Sequence, residues 1–346
     1  SSGAIGGRKY RLRTMPAAAV VSYRLGHADG VSVEAAKWIG ALGRLGYDVH
    51  TVAGAGEADV ILPGLAYDAP DDVAAPARAE LIDAFGGAEV VIAENICSLP
   101  LNPRAGRAVA DALRGRRAVL RHHDVPWQRE RFAHWTEPLP TDQHWTHVCI
   151  NRLTQRELAA RDIEARVVYN HFDVTPTGNA ATARDALGED GLLALQPTRA
   201  IARKNIPESI RIAEKVGATL WLAGPAEEGY GATLDALLDA RRVPTIRGMP
   251  SGVSIADAYE ACDLVTFPST WEGFGNPTIE SAIHRKPLVV ASYPVLEELR
   301  AFGFHWYDID NVALDDHKAL EHNYEVAARH FNLRDLPQAI AEVLKD

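Results

Sequence analysis

Two glutamates separated by seven residues follow a short apolar run at 264–267. The segment reads EGFGNPTIE, so Glu272 opens it and Glu280 closes it. Asn276 is a residue type that caps helix N-termini and Pro277 suits the first helical position, so the pattern predicts a helix that begins here. The free N–H groups and positive dipole end of such a helix attract an anion, and the glycines let a ligand approach the backbone closely. The two carboxylates can accept hydrogen bonds from sugar or ribose hydroxyls.

A second segment, QPTRAIARKN at 196–205, joins an apolar run to a helical pattern. Arg199 offers a planar fork of donors to phosphate oxygens, and Lys204 offers a mobile point charge. Together these side chains are suited to neutralising a diphosphate leaving group. The alternative is that both are solvated basic residues ahead of a helix and bind nothing.

The glutamate segment resembles the glutamate-seven-residues-glutamate motif of the family-4-type retaining glycosyltransferases, and the resemblance extends over nearly the whole chain. The basic segment is similar to the arginine and lysine of that family, although Asn205 stands where glycine is common. The resemblance implies an α/β GT-B fold, in which two Rossmann-like domains with parallel sheets face a central cleft. It implies that the chain moves a hexosyl group from a UDP- or GDP-sugar to a hydroxyl acceptor, with retention and without a cofactor. In that family the first glutamate binds the donor sugar and the second binds ribose, which here are Glu272 and Glu280.

A turn and a strand end in the first half of the chain resemble further parts of the same family. Gly30 lies in a turn where the family has a glycine-rich loop, and Ser32 is expected to cap the following helix. An ordinary turn is the alternative. The sequence RHHD ends a predicted strand where the family has a histidine that reaches the donor sugar. Neighbouring residues on a strand point to opposite faces, so we expect only one of His122 and His123 to face the ligand, and favour His123.

These interpretations define two overlapping groups of site residues. The predicted catalytic residues are His123, Arg199, Lys204 and Glu272. The predicted donor-binding residues are Gly30, His122, Arg199, Lys204, Glu272, Gly273, Phe274, Gly275, Asn276 and Glu280. A metal site is the rival interpretation of the histidine-rich region, formed from His122, His123, Asp124, His144 and His147. None of these residues has recognisable metalloenzyme spacing, so we expect no metal.

Strand-length apolar runs alternate with helical patterns, as is typical of βαβ units and parallel sheets. The pattern lapses at 173–182, where we place a hinge. The predicted domains are 1–172 on the acceptor side, 173–330 on the nucleotide-sugar side, and a terminal segment at 331–346 whose helix packs back toward the first domain. The small residues at 1–7 are excluded from this interpretation.

A net charge of −10 argues against a nucleic-acid surface. No apolar run approaches the roughly 18 residues of a membrane span, and the predicted helix at 32–45 has only Lys37 and Arg44 to meet anionic lipid. We therefore expect a cytoplasmic protein with a soluble small-molecule or glycan acceptor, and leave its oligomeric state open. The aromatic and basic residues of 127–135 line an acceptor pocket or belong to the core. A GT-B epimerase and a non-catalytic sugar-nucleotide-binding protein remain alternative functions.

Overall fold

The structure is a computed structural model that describes residues 15–27, 29–241 and 243–345, so the segment 1–7 lies outside it. The described chain is α/β, with two sheets whose paired strands are parallel. The strands are β1 Ala17–Leu25, β2 Asp48–Gly56, β3 Val60–Ile61, β4 Val90–Glu94, β5 Ala118–His122, β6 Trp145–Cys149, β7 Ala165–Val167, β8 Leu193–Gln196, β9 Thr219–Leu222, β10 Thr245–Arg247, β11 Leu264–Phe267 and β12 Leu288–Val290. The predicted alternation of strands and helices is confirmed, and the apolar run at 264–267 forms β11.

The sheets are ordered as in doubly wound folds, with the first strand of each series inside the sheet. The seven-stranded sheet has the order β3-β2-β1-β4-β5-β6-β7, and the five-stranded sheet has the order β10-β9-β8-β11-β12. Ligands of such sheets bind beyond the carboxyl ends of the strands. The predicted site residues lie at the end of β5 or in the segments that follow β1, β5, β8 and β11, so this topology places them where binding is expected.

Helices connect most of the strands. They are α1 Gly30–Arg44, α2 Arg78–Ala84, α3 Pro103–Leu113, α4 Arg152–Ala159, α5 Ala180–Leu187, α6 Ile206–Val216, α7 Gly231–Asp239, α8 Ile255–Ala261, α9 Asn276–Ile283, α10 Leu296–Arg300, α11 His317–His330 and α12 Leu336–Val343. The helices bury apolar side chains against the sheets, as Ile206 and Ile210 of α6 do against Leu220 of β9. No helix among the described residues is both long enough and apolar enough to cross a membrane.

The chain forms two compact units, one within Ser1–His147 and Ile340–Asp346 and the other within Val148–Ala339. This division differs from the predicted 1–172, 173–330 and 331–346. Residues 148–172 belong to the second unit because they pack within it, as Phe172 does against Phe274 at 6.2 Å between ring centroids. The polar stretch at 173–182 leads into α5 instead of separating the units. In the last segment α12 is present, and the Leu344 carbonyl accepts a hydrogen bond from Arg117 of the first unit.

Candidate functional site

Lys204 and Glu272 meet in a buried cluster of charges in the second unit. Lys204 ends a short 3-10 turn between β8 and α6, and Glu272 follows β11. The Lys204 Nζ lies 2.6 Å from Glu272 Oε1, and Arg203 Nη1 lies 2.9 Å from the same oxygen. Asn205 has φ 52°, a left-handed conformation that asparagine tolerates better than most residues, which explains how it stands in for glycine.

The cluster perturbs the ionisation of both partners. Burial opposes the charge on Glu272, but the positive charges of Lys204 and Arg203 outweigh it and lower the pKa of Glu272 to about 2. Burial lowers the pKa of Lys204 to about 8 even though Glu272 favours its protonated form. Arg203 had no role in the sequence interpretation. Its position directly before Lys204 was the signal that could have identified it.

Arg199 lies outside this ion pair. Its Nη1 is 2.6 Å from Oε2 of Glu227, and about a third (34%) of its side chain is exposed. The positive charge of Arg199 contributes to lowering the pKa of Lys204, so the two cations are within electrostatic range of each other. That one diphosphate meets both cations stays a prediction.

The glycine-rich segment after Glu272 is held by its backbone. Phe274 is buried, and its carbonyl accepts a hydrogen bond from the Tyr293 hydroxyl at 3.1 Å, while the Gly273 carbonyl accepts one from Asn151 at 2.5 Å. Gly275 has φ 94°, and a Cβ there would lie 2.2 Å from the Tyr293 hydroxyl oxygen. Only glycine fits this position without a shift of its surroundings.

The start of α9 differs by one residue from the prediction. Gly275 is the N-cap, Asn276 is the first helical residue, and the Asn276 side chain does not cap the helix. Its Oδ1 instead accepts a hydrogen bond from Asn170 at 2.9 Å, which draws it away from the helix end. Within the described chain, no protein group accepts a hydrogen bond from the N–H of Phe274, Gly275 or Asn276. These three donors are available to an anion at the helix N-terminus.

Glu280 lies further along α9 and is half-buried. Its Oε2 accepts a hydrogen bond of 2.7 Å from the hydroxyl of Tyr259. Tyr259 is itself buried and stacks on His284 with ring centroids 5.0 Å apart, so it holds one carboxylate oxygen of Glu280 in place. Tyr259 was missed from the sequence, where it reads as an ordinary core residue of the helix at 255–261.

In the first unit, the cap of α1 differs from the prediction. The N-cap is Asp29, not Ser32, and its Oδ1 accepts hydrogen bonds from the N–H groups of Val31 and Ser32 at 3.1 and 3.2 Å. Aspartate is a strong capping residue, and it stands at the position from which it reaches these donors. The cap takes N–H groups that a phosphate would use. The role of Gly30 in donor binding therefore stays a prediction without support from this geometry.

The predicted donor contact by His122 does not fit the structure. His122 ends β5 and is fully buried, with Nδ1 2.6 Å from Ser98 Oγ and Nε2 2.9 Å from His147 Nδ1. Both ring nitrogens are thus occupied inside the unit. Burial holds the pKa of His122 well below its usual range and lowers that of His147 to about 4, so both rings are neutral at pH 7.

His123, the favoured histidine, forms a different contact. Its Nε2 lies 2.9 Å from Glu94 Oε2, and Glu94 Oε1 lies 2.6 Å from Arg121 Nη1. Glu94 and Arg121 are fully buried. Glu94 was not a predicted site residue, although a lone carboxylate at the end of an apolar run was a visible signal.

A metal site was the rival interpretation of the histidine-rich region. Among the described residues, no three histidine, cysteine, aspartate or glutamate side chains are grouped so that they could hold a metal ion.

Phe132 of the aromatic segment at 127–135 is buried, whereas Trp135 is half-buried. The segment is therefore partly core, and its proposed acceptor role is not decided by burial.

The chain is similar to known proteins along most of its length. The family model Glycosyl transferases group 1 matches residues 200–313, which include Lys204 and both glutamates. Mannosylglucosylglycerate synthase from Thermotoga maritima is 26% identical to this chain, over 94% of the chain and 99% of the relative.

Two solved structures share the fold. Anabaena HepE, solved in complex with UDP-glucose, has a TM-score of 0.70 at 19% identity, covering 94% of this chain and 99% of HepE. Sucrose-phosphate synthase from Thermosynechococcus elongatus has a TM-score of 0.71 at 13% identity, covering 95% of this chain and 98% of that protein. The fold similarity, the family match and the synthase relative together confirm the predicted GT-B fold and the predicted glycosyltransferase activity.

Proposed function

We propose that this GT-B glycosyltransferase moves a hexosyl group from a nucleotide diphosphate sugar to a hydroxyl acceptor with retention of the anomeric configuration. The observation that carries the proposal is the pairing of Lys204 with Glu272 beside the free N–H groups that begin α9. Cations, a helix N-terminus and an ionised carboxylate are the groups that a sugar diphosphate requires.

In this proposal the leaving diphosphate is stabilised by Lys204, Arg199 and the N–H groups of Phe274, Gly275 and Asn276. Preorganised charges and dipoles of this kind stabilise the charge that develops on a leaving group. We propose that these groups stabilise the leaving charge without a metal ion.

In this scheme Glu272 accepts hydrogen bonds from the hydroxyl groups of the donor sugar. The cations beside it lower its pKa to about 2, so it is a carboxylate at neutral pH and can only accept hydrogen bonds. A carboxylate neutralised by two cations is a weak nucleophile, which favours a reaction without a covalent glycosyl-enzyme. On the retained face, the departing phosphate oxygen can take the proton of the acceptor hydroxyl.

We further propose a small water-soluble acceptor. The name of the Thermotoga relative describes mannose joined to glucosylglycerate, a hydroxylated acid. On α1, Lys37 is paired with Glu34 at 2.5 Å, so this helix lacks the cluster of basic side chains that binding to anionic lipid requires.

Proton NMR of the early product from an α-linked donor tests the proposal. An α-linked product is expected, and a β-linked product would contradict retention. The donors and acceptors to use are found first by thermal shift, because ligands that bind the native state raise its stability.

A further inference from the structure

Glu94, the last residue of β4, and Asn95, the residue after it, both hydrogen-bond to His123. The Glu94 Oε2 lies 2.9 Å from Nε2 of the His123 ring. The Asn95 Oδ1 accepts hydrogen bonds from the backbone N–H groups of His123 and Asp124, at 3.1 and 3.2 Å. Glu94 therefore fixes the ring while Asn95 fixes the backbone that carries it.

Glu94 is held as a carboxylate in a place where a carboxylate is costly. It is fully buried, and burial opposes its charge, but Arg121 and His123 together keep its pKa below the usual range. Arg121 Nη1 lies 2.6 Å from Glu94 Oε1, and its guanidinium lies 4.1 Å from the centre of the Trp38 ring. Such a pair stays ionised only because each charge has its partner.

An ionised carboxylate can only accept a hydrogen bond, so the proton between Glu94 and His123 belongs to Nε2 of the histidine. In the neutral ring the other nitrogen, Nδ1, then carries a lone pair. Nδ1 of His123 has no hydrogen-bond partner in the described chain. Nε2 of His147 also lacks a partner but is fully enclosed by protein, whereas Nδ1 of His123 is not fully enclosed. It therefore remains accessible.

We propose that Glu94 is a positioning residue that locks His123 in the Nε2–H tautomer and presents Nδ1 as a hydrogen-bond acceptor to a hydroxyl of the substrate. The proposal rests on the proposed function in so far as the substrate is a sugar. A neighbouring pair provides the contrast, because His122 is held by Ser98 inside the same unit with no accessible nitrogen.

The first test needs no altered Glu94. In nitrogen-15 NMR of the wild-type protein, the His123 ring signals are those absent from the His123→Asn spectrum. The Nε2–H tautomer is expected. The Nδ1–H tautomer would overturn the proposal, whether or not the transfer proceeds with retention.

The second test uses a mutant cycle in transfer assays. Glu94→Gln is expected to lower kcat/KM by about 10-fold to 100-fold, the size found where a group orients a functional histidine. Ser98→Ala is expected to leave kcat/KM near the wild-type value. In a His123→Asn background, Glu94→Gln should have no further effect, because Glu94 acts through that ring. An equal loss in both backgrounds would overturn the positioning role.

Binding of free nucleoside diphosphate, measured by calorimetry, separates this proposal from the proposed function. Glu94→Gln should bind the diphosphate as the wild type does, since Glu94 belongs to the first unit and the diphosphate groups to the second. If Glu94→Gln loses its fold because Arg121 is left without its carboxylate partner, the tautomer of the wild-type His123 decides the question.

Discussion

The Nζ of Lys204 lies 2.6 Å from Oε1 of Glu272, although 68 positions separate the two residues in the chain. In the structure Lys204 thus forms an ion pair with a carboxylate, whereas its proposed role is to bind the diphosphate of the donor. Arg203 Nη1 lies 2.9 Å from the same Oε1 atom of Glu272. Glu272 would therefore keep Arg203 as a cationic partner if Lys204 turned toward the diphosphate, so donor binding need not leave a buried carboxylate unpaired.

Replacement of the two cations proposed to bind the diphosphate, Lys204 and Arg199, should have unequal effects. Lys204→Ala is expected to lower kcat/KM by a factor on the order of 10² to 10³, as for loss of one preorganised electrostatic group. Arg199→Ala should lower it less, because the Arg199 side chain is partly exposed and already paired with Glu227. Glu227→Gln is the matched control and should not lower it. Near-native activity of folded Lys204→Ala would place the diphosphate elsewhere.

Substitution of the two glutamates should separate sugar binding from nucleotide binding. Glu280→Gln is expected to weaken binding of the nucleoside diphosphate itself, because a ribose contact is lost. Glu272→Gln should weaken binding of the nucleotide sugar and leave the free diphosphate nearly unaffected. Calorimetry with both ligands measures the difference. The assignment fails if Glu272→Gln impairs diphosphate binding as severely as Glu280→Gln does.

The sequence predicted the frame of the site because strand periodicity and helix breakers are local signals. The apolar run at 264–267 forms β11, a helix follows the segment at 196–205 as predicted, and the loops after β8 and β11 carry Lys204 and Glu272 as expected. These loops are recognisable because their residue types are unusual beside apolar strands. The helix caps were each misplaced, since Asp29 and Gly275 compete with neighbours of similar propensity and only the backbone path decides between them.

The partners of the site residues could not be predicted from local patterns. Glu94 and His123 are 29 positions apart, and their contact depends on β4 and β5 being neighbours in the sheet. The alternation of side chains on a strand correctly indicated that His122 and His123 differ, but not that Ser98 and His147 would enclose His122. Long-range register, which packing of the whole sheet sets, supplies that information.

Donor binding should weaken in alkaline solution. Burial lowers the pKa of Lys204 to about 8, so the ammonium loses its proton as the pH rises through that value and the charge that meets the diphosphate disappears. Diphosphate affinity, measured by calorimetry from pH 7 to pH 9.5, should fall above about pH 8. Lys204→Arg keeps its charge over this range and should lose the alkaline decline. An unchanged decline in that variant would assign it to another group.

Gly275 should not tolerate a side chain. Gly275→Ala combines a strained φ of 94° with a Cβ 2.2 Å from the Tyr293 hydroxyl oxygen, so the loop must move and carry its N–H groups away from the phosphate. We expect loss of diphosphate affinity of at least about 10-fold, or 1.4 kcal/mol. Gly217→Ala is the control, because its φ of 71° is also left-handed but its Cβ meets only open space. Equal affinities of the two variants would show that the loop position is unimportant.

Acid should destabilise the first unit through its buried histidine pair. Burial lowers the pKa of His147 to about 4, whereas an unfolded histidine titrates near pH 6.5. Between these values the unfolded state binds more protons than the folded state, so stability falls as the pH falls through this window and is constant above it. From pH 7 to pH 5 the contribution of His147 is about 2 kcal/mol, and burial of His122 acts in the same direction. Urea unfolding at the two pH values measures the loss. The loss of unfolding free energy between these pH values should be smaller in His147→Gln than in the wild type. It should be unchanged in His317→Gln, a control at an exposed site. Equal losses in the wild type and His147→Gln would show that the pair does not titrate on unfolding.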